Sequence, residues 1–243
     1  MDFQIVETAS TGSTNEDLAE AARAGAPEGT VHSTAHQTSG RGRLDRQWES
    51  PAGSGVTMSV LLRPTDVPDA QWTWIPLLAG LAVANAVSDL APGLDVRLKW
   101  PNDVEVAGRK LAGLLVERVE TPSGAAAVVG VGLNVAMTPD QLPIPNATSL
   151  AIEGVDTDAS AVRQAVLAQL DELYENWRAE QGDSARGLRG AYLAASGTVG
   201  QDVVVTLTHG ATIEGAATDV DEFGRLVVGG QPVGAGDVTH VRR

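Results

Sequence analysis

A nearly continuous apolar run from Ala125 to Val135 constrains the fold of this 243-residue chain more than any other segment. An apolar run of strand length without alternation is typical of a strand buried on both faces, so it predicts a central strand between two layers. Gly130 and Gly132 would weaken such a strand unless another group must approach its backbone closely. Asn134 interrupts the run and therefore needs a hydrogen-bond partner, from the backbone or from a ligand.

The segments around this run predict an α+β fold in which helices flank a mixed β-sheet. Alternation over residues 56–62 indicates a strand, and residues 104–120 outline a hairpin with a turn at Ala107–Gly108. Strands are also expected at 3–8, 30–37 and 96–98, and helices at 14–24, 70–90, 162–177 and 185–194. Valine-rich segments after Gly197 predict a small β-barrel. We therefore expect a main domain over residues 1–195 and a C-terminal barrel over 196–243.

The composition narrows the possible partners. The chain has 17 basic and 31 acidic residues, a net charge of −14, which argues against binding a nucleic-acid backbone. It has no cysteine, which excludes disulfides and thiol nucleophiles. The amino terminus lacks the features of a signal peptide. The longest apolar run, Ile75 to Val87, is too short to span a bilayer and predicts a buried helix. A cytoplasmic protein without membrane partners is expected.

An arginine loop, residues 39–48, is the segment most indicative of a ligand. Its three arginines lie within six residues and repel one another unless an anion binds among them: Arg41, Arg43 and Arg46. Glycines at 40 and 42 allow backbone amides to approach that anion, and Trp48 offers an aromatic face. The alternative is an exposed loop whose arginines pair with Asp45 and Glu49. Neither a P-loop nor a complete G-x-G-x-x-G pattern is present.

The only two lysines lie close together, Lys99 before a predicted turn and Lys110 in the predicted hairpin. Because fifteen arginines carry the other positive charge, a retained lysine indicates a need for a compact ammonium group. Asn102 and Asp103 suit a turn. Alternatively, a carboxylate near a phosphate-binding loop could hold Mg²⁺ or accept a proton from an amine. Lys110 needs a negative partner if its head group is buried.

The segment Ser13-Thr14-Asn15-Glu16 has two compatible interpretations. Ser13 and Glu16 fit a capping box, in which both side chains satisfy amides at the start of a helix. A helix start with exposed hydroxyls is also suited to hydrogen-bonding a polar ligand head. Four scattered histidines lack the spacing of metal ligands, and we assign no chemistry to them.

These motifs occur in the order found in biotin protein ligases, and the chain resembles that family from about residue 3 to its carboxyl terminus. The motifs are Ser13–Asn15, Gly40–Trp48, Lys99–Asp103, Arg109–Glu117 and Gly130–Asn134. The resemblance implies a catalytic domain similar to class II synthetases and an SH3-like barrel. It also implies that biotin and Mg·ATP form biotinyl-5′-adenylate, from which the acyl group passes to a lysine of a biotin carboxyl carrier domain.

Matching positions imply roles for individual residues. The implied biotin-binding residues are Ser13, Thr14, Asn15, Gln37, Gly40, Arg41, Gly42, Arg43, Lys110, Gly113 and Leu115. The implied ATP-binding residues are Arg41, Arg43, Arg46, Trp48, Lys99, Asn102, Asn134 and Arg242. Lys110 and Arg43 would stabilise the transferring phosphoryl group. Asp103 would act as a catalytic carboxylate or a ligand of Mg²⁺.

Other interpretations remain open at this stage. A lipoate or octanoyl ligase or transferase resembles the same fold, although the arginine loop and Lys99–Asp103 favour biotin. A non-catalytic biotin or nucleotide sensor would bind ligand without releasing pyrophosphate. Because no winged-helix segment precedes the catalytic motifs, we expect no repressor function.

Overall fold

The computed structural model describes residues 1–44 and 46–241, and its main feature is a seven-stranded mixed sheet. The strand order is β1-β2-β3-β7-β6-β5-β4. Strands β1 and β2 pair in parallel, and all other neighbouring pairs are antiparallel. The strands are β1 Gln4–Thr8, β2 Thr30–Thr34, β3 Gly55–Leu62, β4 Val96–Lys99, β5 Asp103–Val106, β6 Arg109–Thr121 and β7 Gly124–Asn134. The predicted mixed sheet is thus confirmed.

The apolar run forms the central strand β7, as predicted. Residues 126–134 are all buried, and β7 pairs with β3 on one side and β6 on the other. Strand β3 is also buried on both faces over residues 56–62. Its sequence alternation therefore does not mark a solvent-exposed face.

Helices cover both faces of the sheet. Helix α1 (Thr14–Arg23) packs on one face, where Leu18 and Ala22 join a cluster with residues of β3, β6 and β7. Helices α2 (Ile75–Leu90) and α3 (Ala159–Ala179) belong to the larger hydrophobic cluster on the other face. This arrangement places the start of α1 beside the middle of the sheet.

Helix α2 is the buried helix that the apolar run from Ile75 to Val87 predicts. With the preceding 3₁₀ turn it forms a segment, Asp69–Leu90, that is long and apolar enough to cross a membrane by length and composition. However, 67% of its most apolar window is buried inside the fold. Its Asn85 Nδ2 donates to Gln169 Oε1 of α3 at 3.2 Å, so this polar position faces a neighbouring helix.

A second, five-stranded antiparallel sheet follows, in the order β11-β10-β9-β8-β12, consistent with a small barrel-like unit. Its strands are β8 Asp202–Thr206, β9 Thr212–Val220, β10 Leu226–Val228, β11 Gln231–Val233 and β12 Asp237–His240. Its buried valines join the large hydrophobic cluster of the first sheet. Trp100 Nε1 also donates to Gly224 O at 3.0 Å. Division of the chain after residue 195 therefore stays a prediction.

The helix predicted over 185–194 is interrupted. A 3₁₀ turn, Ser184–Arg186, is separated from α4 (Leu188–Ala195) by Gly187, whose φ is +134°. This backbone conformation is outside the helical region and favours glycine, so the regular helix begins only at Leu188.

Candidate active site

A cavity that is partly open to solvent gathers most of the predicted site residues. The start of α1, the arginine loop, β3, β5 to β7 and the first residue of β12 form its walls. The predicted residues that line it are Ser13, Thr14, Asn15, Gln37, Arg41, Gly42, Arg43, Arg46, Trp48, Asn102, Asp103, Lys110, Gly113 and Leu115. Motifs spread over a hundred residues of sequence thus meet at one site.

The predicted capping box at the start of α1 is wrong. Ser13 is the N-cap residue, but its side chain makes no capping hydrogen bond. Gln37 replaces it as an acceptor, because its Oε1 accepts from the Thr14 amide at 2.8 Å and lies 3.2 Å from the Thr14 hydroxyl. Ser13 is 2% exposed and lines the cavity. Its hydroxyl is therefore available to a bound polar group.

The arginine loop is folded back on itself over the cavity. Trp48 N donates to Gly40 O at 2.9 Å, and Gly42 N donates to Arg46 O at 2.7 Å. Arg41 forms an ion pair with Glu117 of β6 at 2.8 Å, and Arg46 forms one with Asp237 of β12. The carboxylates that compensate these two arginines therefore come from distant strands, whereas Asp45 lies outside the described residues.

Arg43 differs from the other two loop arginines. Its Nη1 lies 3.0 Å from Asn102 Oδ1 and 3.5 Å from Gly236 O, and no ion pair to it is found within residues 1–44 and 46–241. Burial lowers the pKa of Arg43, and the charges of Asp237 and Asp103 oppose that shift. A guanidinium remains protonated in a protein even so. Arg43 is thus a partly buried cation with spare capacity for an anion.

Lys110 and Asp103 form the second charged pair of the cavity. Lys110 Nζ lies 2.8 Å from Asp103 Oδ1, and both side chains are about three-quarters buried. The negative partner expected for a buried Lys110 is therefore present. Lys110 Nζ is also 5.8 Å from the centroid of the Trp48 ring. The ammonium group is held between a carboxylate and an aromatic face, next to Arg43 and Asn102.

The glycines of β7 make room for side chains, as the sequence predicts, and Gly113 of β6 does the same. A Cβ on Gly132 would lie 2.3 Å from Trp48 Cε2, and one on Gly130 would lie 2.3 Å from Asn15 Oδ1. A Cβ on Gly113 would lie 3.0 Å from Trp48 Cζ3. The Trp48 ring therefore lies directly on the backbone of two central strands.

Gly132→Ala should displace the Trp48 ring, because a Cβ at 2.3 Å from an aromatic carbon forces one of them to move. Overpacking of this kind costs about 1–3 kcal/mol. We expect a lower melting temperature and a changed tryptophan emission spectrum. Gly12→Ala is the matched control, since a Cβ there has no atom within 4 Å. Equal effects of the two substitutions would contradict this account of Gly132.

Three predicted site residues lie away from the cavity lining. Asn134 is 2% exposed and donates to Thr148 O at 2.9 Å, so its partner is the backbone. Gly40 packs against the carbonyl of Trp48. Lys99 lines a separate groove, with Nζ 3.5 Å from Glu105 Oε1. Arg242 lies outside the described residues. Contacts of these four residues with a ligand stay predictions.

The position of Lys99 leads to a stability prediction. Burial raises the pKa of Glu105, and the nearby Lys99 charge opposes that rise. Lys99→Ala should cost about 1–3 kcal/mol at neutral pH, because a buried carboxylate loses its partner. In the variant the folded-state pKa of Glu105 rises further above its unfolded value. The added cost therefore grows as pH increases through that pKa and disappears when Glu105 is protonated.

Urea unfolding of wild type and Lys99→Ala at about pH 4 and about pH 8, on either side of that raised pKa, measures this cost. Glu105→Gln in the Lys99→Ala background should recover part of the loss at the higher pH. A loss that is equal at the two pH values would contradict the ion-pair explanation.

Two carboxylates at the site carry no signal that sequence reasoning used. Glu117 lies within the Arg109–Glu117 motif, where its position alone indicates no role, and Asp237 follows a Gly-Ala-Gly turn. Their importance depends on which strands lie beside the arginine loop. Thr57, Met58 and Val131 also line the cavity and give part of its wall an apolar character.

No cluster of three or more His, Cys, Asp or Glu side chains suited to a metal ion occurs in the part of the chain that the structure describes. Asp103 is a single carboxylate already paired with Lys110. Mg²⁺ commonly binds through one or two carboxylates together with the phosphates of a nucleotide. The site therefore fits Mg²⁺ arriving as part of Mg·ATP rather than a resident metal ion.

Comparison with known proteins assigns the family. The model of the Biotin/lipoate A/B protein ligase family matches residues 8–134, which carry α1, the arginine loop and β3 to β7. The chain belongs to this family.

Three individual proteins show which members of the family this chain is similar to. The biotin–[acetyl-CoA-carboxylase] ligase of Mycobacterium tuberculosis is 42% identical over 98% of this chain and 90% of its own length. The bifunctional ligase/repressor BirA of Bacillus subtilis is 33% identical over 89% of this chain and 66% of its own length. A biotin protein ligase from Aquifex aeolicus, solved in complex with biotin and ATP, has a TM-score of 0.81 and 27% identity, covering 98% and 99% of the two chains.

Proposed function

We propose that this chain is an ATP-dependent biotin protein ligase. It activates biotin as biotinyl-5′-AMP, with release of pyrophosphate, and transfers the biotinyl group to a lysine of a biotin carboxyl carrier domain. The observation that carries this proposal is the meeting of Lys110, Asp103 and Arg43 beside a polar pocket in one cavity. The relatives named above support biotin and ATP as substrates.

The polar end of the cavity suits the head of biotin. A ureido ring offers N–H donors and a carbonyl acceptor, and Ser13, Thr14 and Gln37 present hydroxyl and amide groups at short range. Met58 and Val131 supply apolar surface for the thiophane ring and the valeryl chain. Such a combination of apolar walls and a few fixed polar groups is typical of small-molecule sites.

In the first half-reaction, a carboxylate oxygen of biotin attacks the α-phosphorus of ATP, and the bond from phosphorus to the bridging oxygen of pyrophosphate breaks. Negative charge spreads over the phosphoryl oxygens during this transfer, so catalysis consists mainly of positioning and electrostatic stabilisation. Lys110 and Arg43 are the cations placed to stabilise that charge. Mg²⁺ bound to the nucleotide supplies further positive charge when ATP is present.

In the second half-reaction, the amine of an acceptor lysine attacks the acyl carbon of the adenylate and AMP leaves. The attacking ammonium must first lose a proton. Asp103 and Asp237 are the carboxylates that line the cavity, and Asp103 is the one beside Lys110. Its ion pair with Lys110 at 2.8 Å holds the carboxylate at the cavity. Asp103 thus serves as the acceptor of the amine proton.

Biotin-dependent release of pyrophosphate tests the proposal. The purified chain is mixed with Mg·ATP and either biotin or lipoate in parallel, and pyrophosphate is measured. Release with biotin supports the proposed activity, and release with lipoate alone would assign the protein to the other branch of its family. No release with either acid would favour the sensor. Labelling of a carrier domain then tests the partner, and the cytoplasmic location stays a prediction.

A further inference from the structure

The amide of Asn15 is already used by the protein, although Asn15 lines the cavity. Its Nδ2 donates to Leu115 O at 3.2 Å and to Glu117 Oε2 at 2.8 Å. Its Oδ1 accepts from the Ser59 hydroxyl at 2.6 Å, and Ser59 is fully buried. An asparagine side chain has only two N–H donors, and both are engaged. Asn15 therefore has a fixed orientation and no donor left for a ligand.

Glu117 links this fixed amide to the arginine loop. While Oε2 accepts from Asn15, Oε1 accepts from Arg41 Nη2 at 2.8 Å, and Arg41 Nη1 lies 3.4 Å from Oε2. The Glu117 side chain is 28% exposed, whereas that of Arg41 is 44% exposed. One carboxylate on β6 thus joins the first turn of α1 to the loop that covers the cavity.

We propose that Glu117 is a positioning residue that keeps the arginine loop closed by binding Arg41 and Asn15 at the same time. An exposed ion pair alone contributes little, because two long side chains must be ordered to form it. Here the bond to Asn15 already orders the carboxylate, so less conformational entropy is lost when Arg41 binds. The bonds to Glu117 are charge-assisted, which makes them stronger than neutral ones.

The chain provides a matched control in Glu16. This residue also pairs with Arg41, but at 3.5 Å and with a side chain that is 59% exposed. No hydrogen bond between the Glu16 carboxylate and the Asn15 side-chain amide occurs among the described residues. Glu16→Gln and Glu117→Gln remove the same charge near the same arginine. In Glu117→Gln, the amide oxygen can keep the bond to Asn15. The amide NH₂ group then faces Arg41, so a donor replaces the acceptor that Arg41 needs. Glu16→Gln has no such conflict, because within residues 1–44 and 46–241 the Glu16 carboxylate does not bind the Asn15 amide.

The rate at which a protease cleaves the arginine loop measures this effect without any substrate. Trypsin cleaves after arginine, and cleavage after Arg43 and Arg46 is followed by mass spectrometry in wild type, Glu117→Gln and Glu16→Gln. We expect Glu117→Gln to accelerate cleavage about fivefold to tenfold, the factor for losing a charge-assisted bond at a half-exposed site. Glu16→Gln should stay within about twofold. Unchanged cleavage at other arginines and an unchanged melting temperature control for unfolding.

Equal cleavage rates in the two variants would overturn the proposal, because the effect would then be only a change of net charge. Arg41→Gln provides a second test. If Glu117 acts through Arg41, Glu117→Gln should add little to the cleavage rate in the Arg41→Gln background, and full additivity would overturn the proposal.

A second readout deepens the proposed function and depends on it. Glu117→Gln should release preformed biotinyl-5′-AMP about fivefold to tenfold faster than wild type, and Glu16→Gln should not. If wild type forms no adenylate, the proposed function fails, while the cleavage experiment still decides the role of Glu117. If adenylate forms but all three proteins release it equally fast, the positioning role fails and the ligase function stands.

Discussion

Lys110→Ala should reduce biotin-dependent pyrophosphate release about 10²–10³-fold, the effect of removing one group that stabilises charge in a transition state. Lys110 is the ammonium nearest the centre of the cavity, with Nζ 2.8 Å from Asp103 Oδ1 and 5.8 Å from the Trp48 ring. Its loss removes positive charge where the phosphoryl oxygens become more negative. It also leaves the partly buried Asp103 carboxylate without its ion-pair partner.

Single-turnover pyrophosphate release at saturating biotin and Mg·ATP measures this effect on chemistry rather than on binding. Arg118→Ala is the matched control, since it removes another cation of β6, one that is 44% exposed and outside the cavity lining. Lys110→Arg tests whether charge alone suffices. Retention of the rate within tenfold in Lys110→Ala would contradict a role in the transition state.

The sequence predicted those features of the fold that depend on periodicity and local chemistry. The run from Ala125 to Val135 predicted the central strand because a strand covered on both faces needs no polar alternation. The glycines at 130 and 132 indicated a close approach to that strand, which Trp48 and Asn15 make. Local signals sufficed in these cases because each constraint acts within a few residues.

Predictions failed where a distant segment supplied the partner. The sequence predicts a capping box at Ser13, but Gln37 supplies the acceptor instead. The backbone of Gln37 lies beside that of Thr11, and its side-chain oxygen accepts from the Thr14 amide. Sequence spacing offers Asp45 and Glu49 as partners of the loop arginines. In the structure, Arg41 pairs with Glu117 of β6 and Arg46 pairs with Asp237 of β12. A carboxylate can approach an arginine from any element of the fold, so sequence spacing does not identify which one does.

The same limit applies to the two lysines. Their closeness in sequence and the rarity of lysine in this chain predict that both belong to the site. Strands β4, β5 and β6 lie side by side, yet Lys110 faces the cavity and Lys99 faces the groove beside Glu105. Lys99 lies opposite Asp103 and Lys110 opposite Glu105, yet each ammonium pairs with the other carboxylate. This choice depends on side-chain conformation, which sequence spacing does not specify.

Arg43→Gly should convert the protein into an indiscriminate labelling enzyme. Arg43 reaches Asn102 in the turn before β5 and the carbonyl of Gly236 before β12, so it connects the loop to both sheets. Glycine removes these contacts and adds backbone freedom. The loop should then close less often, and biotinyl-5′-AMP should escape into solution. A free mixed anhydride acylates any exposed lysine, in contrast to one held until the carrier domain binds.

Mass spectrometry of biotinylated lysines on a carrier domain and on a bystander protein, incubated together with each variant, measures this change. Wild type should label the carrier, whereas Arg43→Gly should label both. Arg43→Lys retains a positive charge without the planar guanidinium, so it separates charge from geometry. Labelling that stays confined to the carrier in Arg43→Gly would count against a closing role for Arg43.

Loss of retention must also be distinguished from loss of chemistry. If Arg43 serves mainly to hold the loop, the first turnover of pyrophosphate in Arg43→Gly should proceed, and continued release without carrier should exceed that of wild type. If Arg43 serves mainly to stabilise the phosphoryl group, the first turnover itself should slow by orders of magnitude. The contacts to Asn102 and Gly236 account for retention, because they join the loop to the rest of the fold before any substrate is bound. The first-turnover rate then measures how much the Arg43 guanidinium adds to stabilisation of the phosphoryl group.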